Sequence, residues 1–303
     1  MGEIIKTEVE SYDPRFDALV DSDAALVRID SSSSHTEGPV YLPAEDAVIW
    51  SDTVRNRVFQ LKNDIVSVYR EPSQYQNGNA VDLEGRIVAC SHCDRAVVRQ
   101  EKDGRWQILV DHYQGKKLNS PNDLAVKSDG TIWFTDPPFG INHPQEGCGG
   151  EQEQPGSYVY RFDPSTNEID AVITDMPRPN GIAFSPDEAL LYVSDTSAVG
   201  QNPEDYHHIK VYTLDEGRYA KDGSVFAVVS PGQPDGFCVD QQGNVFTSSE
   251  DSVQVFSPEG VLLGKIKIPE LCANLTFGGP DYNRLFITAG KSLYSISVKT
   301  KGN

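Results

Sequence analysis

Five oxygen-bearing side chains recur at matched places along this chain. Glu37, Asn77, Asn122, Asn180 and Asp235, then Ala273, each stand just before the same short apolar pattern, at intervals of 40, 45, 58, 55 and 38 residues. Carboxylate and amide oxygens, mixed with water, are the ligands that a hard cation such as Ca2+ takes. No Cys or His occupies any of the six places, which argues against a thiolate or imidazole site for a softer metal. Asn and Asp also favour turns, because their side chains bond local backbone and tolerate left-handed geometry. Three matched asparagines therefore carry little by themselves. Glu37 carries more, since Glu is not a turn former and a carboxylate among amides needs a cation to compensate its charge.

The elements that must position these residues are short strands. Glu37-Gly-Pro-Val-Tyr41 leads into Ala47-Val-Ile-Trp50, and Asn122-Asp-Leu-Ala-Val126 leads into Thr131-Ile-Trp-Phe134. The intervening turns, such as Ser128-Asp-Gly130 and Ser185-Pro-Asp187, have the residues that tight turns require. Further alternating runs follow, as in Arg57–Leu61, Ile209–Thr213 and Val253–Phe256. A repeat of about 40–50 residues with four strands is one propeller blade. The spacing predicts an all-β fold, a six-bladed β-propeller with four strands per blade, over residues 31–298. An N-terminal extension of residues 1–30 precedes it and a tail of residues 299–303 follows. The strand-like segment 25–29 is expected to complete the last blade, and the six matched positions to ring the central channel at one end.

Composition narrows the partners. The 303 residues include 26 Lys+Arg against 45 Asp+Glu, a net charge of −19. That surface repels nucleic acid and anionic lipid, so neither is expected as a partner. No run of 18 apolar residues suggests a membrane span, and the acidic start MGEIIKTEVESYDPRFD lacks the apolar core of a signal peptide. A cytoplasmic protein is expected. The five cysteines, with Cys90-Ser-His-Cys93 among them, are read as ordinary buried thiols. Two insertions lengthen the repeat, one over residues 137–157 and one between Asp195 and His208. The first is a candidate lid.

Five ordered strings sharpen the reading: His35-Thr-Glu-Gly-Pro-Val-Tyr41, Asn119-Ser-Pro-Asn-Asp-Leu124, Trp133-Phe-Thr-Asp-Pro-Pro-Phe-Gly140, Pro179-Asn-Gly-Ile-Ala-Phe-Ser-Pro-Asp187 and Pro234-Asp-Gly-Phe-Cys-Val-Asp240. They resemble the gluconolactonase/regucalcin/senescence-marker-protein family, most closely its bacterial gluconolactonase branch, over about residues 30–296. The resemblance implies a divalent ion at the channel mouth, commonly Ca2+, with Zn2+, Mn2+ or Mg2+ as alternatives. It implies Glu37, Asn180 and Asp235 as ligands, with Asn122 as a direct or water-mediated fourth ligand that also touches substrate. Vertebrate lactonases of this family have an Arg two residues before that Asn, whereas Ser120 stands here, with Lys116 and Lys117 upstream. Sugar recognition by an Arg does not carry over.

The implied chemistry is hydrolysis of a sugar lactone such as glucono-1,5-lactone. A cation polarises the ester carbonyl, and Asp235 is the general base for the attacking water. Asn77, Ser120 and Tyr158 are candidate substrate contacts beside Asn122. Two other readings stay open: hydrolysis of a phosphorus ester of the diisopropyl-fluorophosphate type, and a non-enzymatic Ca2+-binding or scaffold propeller. No nucleophile elbow, HExxH, phosphate loop or dinucleotide fingerprint occurs.

Overall fold

Runs such as Ala47–Asp52 and Ile132–Asp136 are buried at every residue, so they lie inside sheets that are covered on both faces. The computed structural model describes residues 2–197 and 207–303; residues 198–206, most of the second insertion, lie outside the described residues. Among the described residues, six antiparallel sheets of four or five strands are the blades of a β-propeller, and His112–Tyr113 with Lys116–Lys117 forms a separate two-stranded hairpin. In the first blade Thr36–Leu42, Ala47–Asp52, Arg57–Lys62 and Ile65–Arg70 pair in chain order, from the channel outward. The innermost strands of the other five are Gln76–Val81, Leu124–Val126, Pro179–Phe184, Phe237–Val239 and Cys272–Gly278.

Both chain ends are woven into the ring. Leu26–Asp30 is the fourth strand of the last blade, paired with Ser292–Ser297, and Glu3–Ile5 adds a fifth. Val9–Ser11 extends the fifth blade along Leu262–Lys267. Phe16, Leu19, Val20 and Leu26 share one core cluster with Val255, Leu263 and Ile296. The C-terminal residues are tied down too, by Thr300 Oγ1 on Asp240 Oδ2 and by Lys299 N on the Leu19 carbonyl. The described residues 2–30 and residues 299–303 are thus tied into blades five and six. Adjacent blades meet through large apolar rings, as where Trp133 packs edge-on against Phe184 with centroids 5.6 Å apart. Packing of this kind is worth about 0.5–1.5 kcal/mol beyond area burial.

Candidate functional site

The matched residues sit at or just before the starts of the innermost strands, and their backbones are locked blade to blade. Hydroxyls on the second strand of one blade donate to the ring carbonyl of the next: Ser51 to Asn77 at 2.7 Å, Thr135 to Asn180 at 2.6 Å, and Ser194 to Asp235 at 2.6 Å. The residue after each ring position is a glycine in four blades, and two of them show why. At Gly38 the backbone has φ +46°, and a side chain would strike the Asn77 carbonyl; at Gly236 a side chain would take the place of the Asn274 amide. In the third and sixth blades that position holds Asp123 and Asn274, whose side chains fill the channel beneath the ring.

The side chains form one connected network. Asn77 Nδ2 donates to Asn122 Oδ1 at 3.1 Å, and Asn122 Nδ2 donates to Asn180 Oδ1. Asn180 in turn contacts Thr196 Oγ1 at 3.4 Å and hydrogen-bonds Asp235. Glu37 Oε2 accepts from Gly38 N at 2.9 Å and from Asn274 Nδ2 at 3.5 Å. The same Asn274 nitrogen reaches Asp123 Oδ2 at 3.2 Å. Three carboxyls therefore converge, and no Lys or Arg among the described residues offsets them.

Electrostatics records the mismatch. Burial, then the Asp235 and Asp123 carboxylates, pushes Glu37 well above the usual range. Burial raises Asp123 to about 7, and burial together with Asp123 raises Asp235 to about 8. A buried negative cluster of this kind is stable either protonated or around a cation. Among the described residues, no three His, Cys, Asp or Glu side chains could hold an ion by themselves. The amide oxygens of Asn122 and Asn180 complete an all-oxygen donor set with Glu37 and Asp235, which suits a hard divalent ion.

The structure brings Glu37, Asn77, Asn122, Asn180 and Asp235 together, but not the other expected residues. Ala273 is buried in its strand, and its neighbour Asn274 supplies the polar side chain of the sixth blade. Ser120 is fully buried; its hydroxyl donates to the Pro137 carbonyl at 2.6 Å and accepts from Gly140 N at 2.9 Å. It anchors the 137–157 loop instead of facing the ring. Tyr158 packs against Tyr160 and lines a separate hollow with Tyr113 and Gln154.

His92, like Asp123 and Asn274, is a residue that sequence reasoning missed. Its Nε2 lies 3.3 Å from Asn122 Oδ1 and 3.5 Å from Asn77 Nδ2, and its Nδ1 lies 2.9 Å from the Glu146 carbonyl. Burial lowers its pKa and favours the neutral ring. The Glu146 contact brings the 137–157 loop onto the ring, and Arg95 helps, bonding the Leu118 and Asn119 carbonyls and pairing with Glu153.

The cysteine expectation needs correction. Cys90, Cys238 and Cys272 are free thiols, but Cys93 and Cys148 form a disulfide across 55 residues. The partner of the CxxC segment arrives from the long insertion, which the count of cysteines could not place. Disulfides persist in oxidising compartments and are rare in the cytosol, so this bridge weighs against the cytoplasmic expectation. A loop of that length gives a chain-entropy stabilisation of at most about 4 kcal/mol. Cys148→Ser is expected to lower Tm by several degrees and to raise KM more than it lowers kcat. Thermal melts and initial rates check this, and an unchanged KM would dissociate the loop from the site.

The chain is similar to known proteins along most of its length. The sequence profile of the SMP-30/gluconolactonase/LRE-like region matches residues 35–291. The gluconolactonase of Zymomonas mobilis is 31% identical, over 97% of this chain and 87% of its own. The solved structure of a Xanthomonas campestris gluconolactonase superposes with a TM-score of 0.91 at 38% identity, covering 98% of both chains. A calcium-binding regucalcin of Agrobacterium tumefaciens superposes at 0.73 with 18% identity, covering 91% of this chain and 94% of that one, and shares the fold. With this profile over most of its length and these relatives across nearly all of it, the chain belongs to the SMP-30/gluconolactonase/LRE-like family.

Proposed function

We propose that this protein hydrolyses sugar lactones of the glucono-1,5-lactone type at the channel ring. Glu37, Asn180, Asp235 and Asn122 would hold a divalent cation, with Ca2+ the first candidate. The observation that carries the reading is the converging Glu37, Asp123 and Asp235 carboxyls, with no cationic side chain among the described residues to offset them. The gluconolactonases of Zymomonas mobilis and Xanthomonas campestris support the substrate class. When bound, such an ion supplies Lewis acidity toward the ester carbonyl.

The chain's own residues divide the remaining work. Glu37 and Asp123 are 4% and 8% exposed and sit in bonds from Gly38, Leu124 and Asn274. Asp235 is the least buried residue of the three, and its carboxylate is the candidate base for the attacking water. It takes the proton as the water oxygen bonds to the carbonyl carbon. The ring C–O bond then breaks, and the proton passes to the departing alkoxide, giving the open hydroxy acid. Asn122, tied to Asn77 and Asn180, orients the substrate without adding charge. No helix among the described residues is long and apolar enough to cross a membrane, and the −19 charge favours a small neutral substrate over a polyanion.

Proton release from a panel of lactones, with and without chelator, tests the reading. Glucono-1,5-lactone should open faster than its spontaneous rate, the acceleration should vanish with chelator, and added Ca2+ should restore it. Turnover of diisopropyl fluorophosphate with all lactones inert would move the site to phosphorus esters. Inertness to both classes would leave a binding propeller.

A further inference from the structure

Beside the proposed ligands, the ring holds a second pair of side chains whose roles are set by geometry. Asn77 lies in Gln76–Val81, and His92 lies just past Ile87–Ser91, in the same blade; both are buried. A carbonyl only accepts, so the Glu146 oxygen 2.9 Å away fixes the proton of His92 on Nδ1. The Nε2 of the neutral ring is then an acceptor. Its two neighbours are Asn77 Nδ2 at 3.5 Å and Asn122 Oδ1 at 3.3 Å. Asn122 Oδ1 is also an acceptor, since the nitrogen of that amide donates to Asn180. The Asn77 NH2 is the one group that satisfies both, which settles which way this amide is turned. Its Oδ1 is left buried, with no hydrogen-bond partner among the described residues. A buried acceptor without a donor is costly, and a hydroxyl of a ligand in the channel would supply one.

We propose that Asn77, held in orientation by His92, accepts a hydrogen bond from a hydroxyl of the lactone and makes the site select polyhydroxylated lactones over plain ones. The inference rests on the lactonase reading and deepens it. Asn77 adjoins Asn122, so the hydroxyl in question is one close to the reacting carbonyl. Asn77 is a specificity residue that touches substrate; His92 is a positioning residue that acts through it.

The test compares glucono-1,5-lactone with δ-valerolactone, the same ring without hydroxyls. Loss of one neutral hydrogen bond corresponds to roughly tenfold. Asn77→Ala should therefore lower kcat/KM for glucono-1,5-lactone by about tenfold, mainly through KM, and change δ-valerolactone by less than about threefold. His92→Ala should give the same selective loss on a smaller scale. His92→Gln, which keeps an acceptor, should recover part of it, a rescue that a merely structural role would not produce. Inhibition by the product gluconate should weaken in step with KM. If Asn77→Ala does not fold, Asn77→Ser carries the comparison. Equal losses on both lactones, or no loss on either, would overturn the proposal while leaving the lactonase reading in place. A wild-type protein inert to both lactones would overturn the lactonase reading, and this proposal with it.

Discussion

Asp235→Asn is expected to lower kcat on glucono-1,5-lactone by at least about 10²-fold, the lower end of general-base contributions. The substitution keeps the size of the side chain and one carbonyl oxygen. Glu37, Asn122 and Asn180 remain, so cation binding should weaken without vanishing. The variant amide cannot accept a proton from water near neutral pH. Measuring kcat at Ca2+ concentrations high enough to restore occupancy separates the two roles of Asp235. The assignment of Asp235 over its neighbours rests on its lower burial as a residue and on the bonds that Glu37 and Asp123 already accept inside the channel. Asp123→Asn should therefore spare turnover at saturating Ca2+ far better than Asp235→Asn does. Recovery of near wild-type kcat in Asp235→Asn at saturating Ca2+ would reduce Asp235 to a ligand alone.

What the sequence could reveal about the site depended on whether the chemistry repeats. Glu37, Asn77, Asn122, Asn180 and Asp235 were legible because each blade presents one residue at the same place, and five intervals of similar length expose that place. Asp123 and Asn274 carry a weaker form of the same signal, since they stand where the other four blades have Gly38, Gly78, Gly181 and Gly236. Comparing the next position along would have found them. Ala273 was the matched residue by count, but the innermost strand is irregular between Cys272 and Asn274, and it is Asn274 that reaches Glu37.

His92, Ser120 and the Cys93–Cys148 bridge were not legible in this way. Their roles depend on how the 137–157 insertion folds back over the second and third blades, and an insertion unique to one blade has no second copy to compare. Ser120 was read as a sugar contact from its place in the chain. Its hydroxyl is spent on Pro137 and Gly140, a choice that only the folded loop dictates. The propeller itself was legible because turn chemistry and strand spacing agree in all six repeats, which is the consistency across levels that specifies a fold.

The same buried carboxyls make stability depend on pH in a sense opposite to that of most acidic groups. In the ion-free protein burial raises Asp123 and Asp136 to about 7, and burial with Asp123 raises Asp235 to about 8, from an ordinary value of 3.8. Between those limits the folded chain binds more protons than the unfolded chain, so stability falls as pH rises. The contribution is fully present below about pH 4 and is lost as pH passes through about 7 to 8. A tenfold change in proton affinity corresponds to about 1.4 kcal/mol, so several kcal/mol are at stake across this window. A divalent ion bound by Glu37 and Asp235 replaces the lost protons as the compensating charge. Ca2+ is therefore expected to raise Tm much more at pH 8 than at pH 5, with chelated protein less stable at pH 8. Glu37→Gln should lose most of the Ca2+-induced rise. Asp136 lies outside the proposed ligand set, so Asp136→Asn should flatten the pH dependence of the chelated protein while leaving the Ca2+ response intact. Melting curves at the two pH values, with and without Ca2+, decide the matter. An equal Ca2+ response at pH 5 and pH 8 would mean that the cation does not take the place of these protons.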